Sequence, residues 1–273
     1  MPFPFVRTSS ALLAFPLILA ACGSDGGPVG ENANATPASG DPTVAALAPG
    51  EAQPVQFEAS DGVTVHGAWY PAKEPAATIL LFHQAGANKA EYATIAPMLA
   101  KAGYNALAID QRSGGDMFGG TNETVAGIGG SAPDYEAALA DMDAALAWAR
   151  TKGEPVIVWG SSYSAALAFL LAAQHPGEIA ALLTFSPGEY LKDKQAVRQA
   201  ASKVSIPIFT MAADGKEANA AMAILSAVPR ETNEPVVPQH DAHGSSTLIA
   251  AENPKGAEAN RAEVMAFLKQ VTQ

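Results

Sequence analysis

The sequence predicts an α/β fold in which a mainly parallel sheet carries helices on both faces. From about residue 52 onward, short β-branched or apolar runs alternate with longer alanine-rich segments of helical period, which is the pattern of successive βαβ units. Of the 273 residues, 48% are hydrophobic and 16% are charged, so one sizeable core can form. The composition is that of a globular domain rather than of a disordered chain.

The first element of this domain is predicted to be an antiparallel hairpin, because Asp61 and Gly62 join "VQFEA" to "VTVHGAWY". Six further strands are predicted over 78–83, 105–110, 155–159, 179–185, 206–211 and 234–239. Helices are predicted from a capping pair, Asn88 and Glu91, to near Gly103, over 131–150, after residue 160, and over 194–204, 216–228 and about 256–270.

The first 51 residues are predicted to lie outside the folded domain. Residues 1–21 contain one charge, Arg7, and an apolar stretch too short for a bilayer, which needs about 20 residues. The segment "LAAC" over 19–22 resembles the lipobox of bacterial lipoproteins, which implies cleavage before Cys22 and lipid on that sole cysteine. We therefore expect a signal peptide over 1–21, a lipidated flexible linker over 22–51 and one domain over 52–273. The implied partner is a membrane, and the implied location is the bacterial cell envelope, on the outer membrane facing the periplasm.

Charge and motif content exclude several other partners. The formal net charge of −11 repels nucleic acid. The glycine-rich stretch over 113–130 lacks the Gly-Lys-Ser/Thr of a phosphate loop. His83, His240 and His243 do not form a His-Glu-x-x-His pattern, and the single cysteine is assigned to the lipid. Neither a metal nor a cofactor is predicted.

The segment "PVIVWGSSYSAALAFLLA" over 155–172 places small polar residues between a buried strand and a buried helix. A sharp reversal from strand to helix forces the turn residue to positive φ and crowds the residues two before and two after it. Ser162 at the apex has small flanks, Gly160 and Ser164, whereas Ser161 at the apex would have two aromatic flanks. Ser162 is therefore the predicted nucleophile, at the sheet edge where α/β proteins bind ligands.

This junction resembles the nucleophile elbow of the α/β-hydrolase family, in particular of its small, capless, dienelactone-hydrolase-like members. The motif "GSSYS" stands where the family has G-x-S-x-G, with Ser164 in place of the last glycine. The resemblance covers about residues 52–270 and implies the catalytic order serine, acid, histidine. His243, followed by Gly244, matches the family's His-Gly after the last strand, which implies that it is the base.

The acid implied by the resemblance has two candidates. Asp214 lies three residues past Met211, in the loop after "IPIFTM", where the family carries its acid, and it is the predicted member of the triad. Its alternative role is that of a helix N-cap. Glu189 in "SPGEY" is the other candidate, because some family members place the acid after the preceding strand.

The resemblance also implies an oxyanion hole. "HQAG" over 83–86 resembles the family's His-Gly-x-Gly, and by position the backbone N–H groups of Ala85 and Tyr163 would bind the oxyanion. His83 is expected to hold the turn. Asp110 and Arg112 in "DQRSGGD" match residues that brace loops in the family, so we assign them to architecture.

The predicted function is that of a serine hydrolase that cleaves small ester or acyl substrates through Ser162, His243 and Asp214, by way of an acyl-enzyme. Only about 20 residues separate the strands that end at Phe185 and Met211, which leaves no room for a cap and predicts a shallow pocket. Two alternatives remain. One is a lipid-anchored, non-catalytic binding or scaffold protein on the same fold, and the other is acyltransferase, amidase or peptidase activity at the same site.

Overall fold

The computed structural model describes residues 50–229 and 235–273. Within these ranges one sheet has seven strands in the order β1-β2-β4-β3-β5-β6-β7. The strands are β1 (Gln53–Glu58), β2 (Thr64–Tyr70), β3 (Thr78–Phe82), β4 (Asn105–Ile109), β5 (Val156–Ser161), β6 (Ala181–Phe185) and β7 (Ile208–Met211). The predicted α/β class, with its mainly parallel sheet, is confirmed.

The predicted N-terminal hairpin is also present. β1 pairs antiparallel with β2, and β2 pairs antiparallel with β4. Gly62 has φ of +83° in the connecting turn, and its N–H donates to the carbonyl of Ala59 over 2.9 Å. A positive φ costs glycine little, which explains its place there. Residues of β1 alternate between half-buried and exposed, as in a strand with one solvated face.

The remaining strands are parallel and buried on both faces. β4 pairs with β3, β3 with β5, β5 with β6 and β6 with β7, all in parallel register. Each residue of β3 to β7 is buried, which accounts for the unbroken apolar runs in the sequence. Because these strands are parallel, the loops that follow them meet at one edge of the sheet.

Seven α-helices are present in the described ranges: α1 (Ile95–Lys101), α2 (Glu123–Ile128), α3 (Leu139–Arg150), α4 (Tyr163–Gln174), α5 (Ala196–Ala201), α6 (Lys216–Leu225) and α7 (Ala257–Val271). Three 3₁₀ helices cover Lys89–Tyr92, Tyr135–Ala138 and Gly244–Leu248.

The helices bury apolar side chains on both faces of the sheet. One core holds Met142 of α3 and Leu167 of α4, with residues of α5 and α6. The core on the opposite face holds Leu99 of α1 and Leu268 of α7. Each such side chain contributes about 1.5–3 kcal/mol when fully buried. The prediction of helices on both faces is confirmed.

The strand predicted over 234–239 is wrong for the residues that the structure describes. Val236 makes only an isolated parallel bridge with Met211, in which its N–H donates to the carbonyl of Thr210 over 2.8 Å. Pro235 and Pro238 flank this bridge, and a proline has no N–H to extend a ladder.

The helix predicted to begin at Asn88 and Glu91 also differs. The Asn88 side chain accepts the N–H of Ala90 over 2.8 Å, but the helix that it caps is the short 3₁₀ segment, and α1 begins only at Ile95. Glu91 does not complete a capping box, because its carboxylate is buried and bonded to other loops.

The predicted signal peptide over 1–21 and Cys22 lie outside the described residues, as does almost all of the predicted linker over 22–51. The lipid anchor, the location in the cell envelope and the domain boundaries therefore stay predictions. None of the helices in the described ranges is long and apolar enough to cross a membrane.

Candidate active site

Ser162 lies at the turn between β5 and α4, with φ of +59° and ψ of −119°. This conformation is strained for a residue other than glycine, and it persists where the surrounding structure determines it. Gly160 is required because a Cβ there would lie 2.5 Å from the Cα of Ala165 and from the carbonyl oxygen of Ser164. Ser161 is the last residue of β5. Ser162 is therefore the apex of the turn.

Ser164, which departs from the family's glycine, stabilises this turn. Its hydroxyl accepts the N–H of Ser161 over 2.9 Å and donates to the carbonyl of Phe82, at the end of β3, over 2.6 Å. The side chain is fully buried. A buried hydroxyl that accepts one hydrogen bond and donates another joins the turn to the neighbouring strand.

A continuous chain of hydrogen bonds leads from Ser162 to a carboxylate. His243 Nε2 lies 2.8 Å from Ser162 Oγ, and His243 Nδ1 lies 2.7 Å from Glu217 Oε1. Since a carboxylate can only accept, Nδ1 carries the proton and donates to Glu217, which leaves Nε2 free to accept from the serine hydroxyl. This is the arrangement that activates a serine nucleophile.

The charges of this pair favour an ionised carboxylate beside the histidine. The hydrogen bond to Glu217 raises the pKa of His243, against the opposing effect of burial. The same hydrogen bond lowers the pKa of Glu217, and the hydroxyl of Ser186 adds to this effect. Glu217 is therefore charged and can stabilise an imidazolium that forms on His243.

Ser186, directly after β6, orients the carboxylate. Its hydroxyl donates to Glu217 Oε2 over 2.5 Å and accepts the N–H of Gly244 over 2.9 Å. Ser186 has φ of +51°, so a second strained residue lies at this edge of the sheet. The Glu217 carboxylate and the loop after His243 are thus held by one hydroxyl.

The prediction of Asp214 as the carboxylate beside His243 does not match the structure, which places Glu217 there. Asp214 is exposed in the turn after β7, and its carboxylate accepts the N–H of Gly215 over 2.6 Å. Gly215, with φ of +76°, turns the chain into α6, and Glu217 in the first turn of that helix contacts the histidine. The sequence signal for it is an acidic residue in the first turn of a predicted helix at this edge of the sheet.

Glu189, the alternative acid, also contacts other groups. Its carboxylate accepts the N–H of Val197 over 3.0 Å and the N–H of Arg198 over 2.9 Å, at the start of α5. It therefore serves as an acceptor for the unpaired N–H groups of a helix N-terminus.

The two predicted oxyanion donors lie at the same sheet edge as Ser162. Ala85 follows β3 by three residues and Tyr163 begins α4, while Phe82 of β3 is paired with Gly160 of β5. Within the described ranges, neither the Ala85 nor the Tyr163 N–H donates to another residue. An oxyanion hole requires such unpaired N–H groups, and the assignment of Ala85 and Tyr163 stays a prediction.

His83 is buried beneath this loop. Its Nε2 accepts the N–H of Gln111 over 2.9 Å, so Nδ1 carries the proton and donates to the carbonyl of Gln84 over 2.8 Å. Burial lowers the pKa of His83 to about 4, so the ring is neutral. Both nitrogens hold backbone groups, which is the geometry expected of a residue that holds the turn.

Asp110 and Arg112 join loops by hydrogen bonds. Asp110 accepts the backbone N–H groups of Lys89 and Glu123, each over 2.8 Å. Arg112 donates to Asp141 of α3 over 2.7 Å and also contacts Asp61 of the hairpin turn. These contacts match their assignment to architecture.

Tyr190 is a residue of the site that the sequence did not indicate. Its hydroxyl donates to the carbonyl of Ser186 over 2.9 Å, and a Cβ at Gly188 would lie 2.8 Å from its ring. Burial and the charge of Glu217 raise the pKa of Tyr190. The phenol therefore lies beside Ser186, the residue whose hydroxyl bonds to Glu217.

A mainly parallel sheet whose strained strand-to-helix turn presents a serine to a histidine of a late loop defines the protein as an α/β-hydrolase. Within that class, the chain belongs to the family described as serine aminopeptidase, S33 (Hydrolase_4), whose model matches residues 73–232. Among proteins of curated function, no sequence matches the chain.

Solved structures of similar fold include two esterases and a dienelactone hydrolase. The esterase Pf2001 of Pyrococcus furiosus is 19% identical, with a TM-score of 0.61 over 82% of this chain and 93% of that one. The dienelactone hydrolase of Anabaena variabilis is 15% identical, with a TM-score of 0.64 over 81% and 97%. The thermostable carboxyl esterase of Bacillus coagulans is 14% identical, with a TM-score of 0.63 over 81% and 99%. At these identities the likeness establishes the fold.

Proposed function

We propose that the protein hydrolyses small carboxylic esters through Ser162, His243 and Glu217. The observation that carries this proposal is the unbroken hydrogen-bond chain between these three side chains at a strained strand-to-helix turn. The fold relatives include a carboxyl esterase and a dienelactone hydrolase, which supports ester-type substrates. The His243 side chain is 40% exposed, so a substrate can reach it from solvent.

The reaction follows from the geometry in two half-reactions. Ser162 Oγ attacks the acyl carbon while its proton passes to His243 Nε2, and the N–H groups of Ala85 and Tyr163 stabilise the oxyanion. Collapse of this intermediate breaks the ester bond, and the imidazolium returns the proton to the leaving alcohol. Water then attacks the acyl-enzyme, giving one proton to His243, which passes it back to Ser162 as the carboxylic acid leaves.

The experiment that tests this function is labelling with a fluorophosphonate, which reacts with activated serines. We expect the wild type to be labelled and to hydrolyse short p-nitrophenyl esters, and we expect Ser162→Ala to do neither. Loss of labelling in Ser162→Ala shows that this hydroxyl is the nucleophile. A wild type that takes no label would instead support the non-catalytic binding protein.

Peptide cleavage is a second candidate, because the family description names an aminopeptidase. An aminoacyl p-nitroanilide measured beside the ester of the same aminoacyl group separates the two activities. We expect the ester to have the higher kcat/KM. The reverse order would assign the site to amide bonds, with the same three side chains.

We also propose that Cys22 carries lipid and anchors the protein in the bacterial cell envelope, on the basis of the "LAAC" segment over 19–22. Expressed in a bacterium, the full chain is expected to partition into the detergent phase of Triton X-114, and Cys22→Ala into the aqueous phase. Aqueous partition of both would reject the anchor.

A further inference from the structure

Glu91 is a buried carboxylate at the site that the proposed reaction does not use. It lies in the 3₁₀ helix after β3 and is 1% exposed. Its Oε2 accepts the backbone N–H of Gln84 over 2.7 Å, and its Oε1 accepts the hydroxyl of Ser161 over 2.7 Å. A carboxylate hidden from water at such a place is costly unless it is fully bonded, so its retention needs a reason.

Each group bonded to Glu91 is a close neighbour of a group in the proposed reaction. Gln84 immediately precedes Ala85, and Ser161 immediately precedes Ser162. The Ser161 hydroxyl also accepts the N–H of Ser245 over 2.9 Å, two residues after His243. Through one carboxylate and one hydroxyl, the loops that carry the oxyanion donor, the nucleophile and the base are joined.

The loop that carries His243 packs closely against Ser161. A Cβ at Gly244 would lie 2.4 Å from the Oγ of Ser161, so the loop that carries His243 passes directly over that hydroxyl. Gly244 has φ of +61°, which is a further reason for glycine at this position. A shift of Ser161 would therefore move the histidine loop.

We propose that ionised Glu91 is a positioning residue that holds the loops of Ala85, Ser162 and His243 in their reactive arrangement. It acts through Gln84 and Ser161 and does not contact the reacting atoms. The inference rests on the proposed function, and it adds a fourth side chain, with its own charge requirement, to that site.

The charge requirement follows from the direction of the hydrogen bonds. Both Gln84 N–H and the Ser161 hydroxyl donate to the carboxylate, so a proton on either oxygen would oppose a donor and one bond would have to break or reverse. Burial raises the pKa of Glu91 from 4.5 to about 7, although these two hydrogen bonds and the charge of His243 lower it. The hydrogen bonds that join these loops therefore change as the pH falls through about 7.

The other titratable groups that face Glu91 are His243, Tyr92 of its own 3₁₀ helix and Tyr163 of α4. Burial raises the pKa of both tyrosines well above the ordinary value, so they stay neutral. Glu91 and His243 are thus the two facing groups that change charge near neutral pH.

The test is the pH profile of kcat/KM for a p-nitrophenyl ester, in wild type and Glu91→Gln. In the wild type we expect log kcat/KM to fall below pH 7 with a slope above one, because two groups must lose protons. In Glu91→Gln we expect a slope of one, since only His243 remains, together with a loss of about ten- to a hundredfold in kcat and little change in KM.

Thermal unfolding distinguishes a positioning role of Glu91 from a role in stabilising the fold alone. Because the pKa of Glu91 is raised by folding, this carboxyl makes a contribution to stability that falls as the pH rises from 4.5 to about 7, and Glu91→Gln lacks that contribution. At pH 8 the variant is expected to melt at or above the wild-type temperature while turning over more slowly. Asp141→Asn, which removes a buried carboxylate bonded to Arg112, is the control for the activity measurement and is expected to keep the wild-type slope of log kcat/KM against pH.

A Glu91→Gln variant with wild-type kcat and wild-type slope would overturn the inference and leave the serine-hydrolase function intact. A wild type that takes no fluorophosphonate label would end both. If Glu91→Gln fails to fold, Ser161→Ala is the variant that tests the proposal, because it removes one hydrogen bond from the same carboxylate. It should lower kcat at least severalfold with KM unchanged, and full activity in Ser161→Ala would reject the proposal.

Discussion

Two strand-to-helix turns at the same sheet edge carry the proposed nucleophile and the proposed acid, and they are built differently. The turn from β5 to α4 is buried, and its apex Ser162 is 7% exposed. The turn from β7 to α6 is exposed at Asp214 and Gly215, and the Glu217 carboxylate beyond it is 28% exposed. Backbone crowding at Gly160 restricts the first turn, whereas side-chain hydrogen bonds to His243 and Ser186 fix the position of Glu217 after the second. Residue positions are therefore predictable from the sequence in the first turn but not in the second.

The largest expected effect lies at the buried turn and at His243, the proposed base that Ser162 contacts. Ser162→Ala and His243→Ala should each lower kcat by about 10⁴- to 10⁶-fold, because they act as one unit, and the double variant should be no worse than either. Ester hydrolysis under saturating substrate measures this. His240→Ala, an exposed histidine of the same loop, is the control. A His243→Ala variant that kept a tenth of the activity would remove His243 from the mechanism.

The next largest effect is expected at Glu217, and Asp214 in the exposed turn before it is the comparison. Glu217→Gln should lower kcat by on the order of 10²- to 10⁴-fold, because the amide cannot stabilise the imidazolium as a carboxylate does. Asp214→Asn should stay within about threefold of wild type, since Asp214 does not contact His243. Both are measured as kcat for the same ester. The opposite ranking would restore Asp214 as the acid.

The pH profile of kcat/KM should shift in a defined direction in Glu217→Gln. The hydrogen bond to Glu217 raises the pKa of His243 above 6.5, and the histidine must be neutral to accept the serine proton. Removing the negative charge should therefore move the acid limb of kcat/KM to lower pH. A limb that moved to higher pH would contradict this assignment.

Stability should respond strongly at the buried turn. Gly160→Ala is expected to lower the free energy of unfolding by about 3 kcal/mol, because the new methyl group would overlap the backbone at Ser164 and Ala165. Gly127→Ala, in open space on α2, should instead raise it by up to about 1 kcal/mol. Urea unfolding with an unchanged m-value measures both. Equal stabilities would show that the turn is not sterically determined.

The smallest effect concerns the hydroxyl that replaces the family's last glycine. Ser164→Ala should lower the free energy of unfolding by about 1–3 kcal/mol, because the Ser161 N–H and the Phe82 carbonyl would lose a buried partner. Ser226→Ala, with an exposed hydrogen bond at the end of α6, should change it by less than about 0.5 kcal/mol. A neutral Ser164→Ala would mean that this hydroxyl is dispensable to the turn.

Much of the fold was predictable because parallel strands and amphipathic helices leave regular patterns. The hairpin at Asp61 and Gly62 and the five buried parallel strands were predicted close to their observed bounds. The strand over 234–239 was not, since two prolines limit its pairing to Val236. Of the predicted capping pair, only Asn88 caps a helix. Glu91 bonds to residues of distant loops, and a local pattern cannot reveal such partners.

The sequence by itself determined the α/β class and the serine at the strained turn. These follow from the period of apolar residues and from steric limits at Gly160 and Ser162, and both act between chain neighbours. Only the tertiary structure decided which carboxylate meets His243 and where Glu91 is buried. Those outcomes depend on the reach of side chains and on the burial of charge between segments far apart in the chain, which no local pattern encodes.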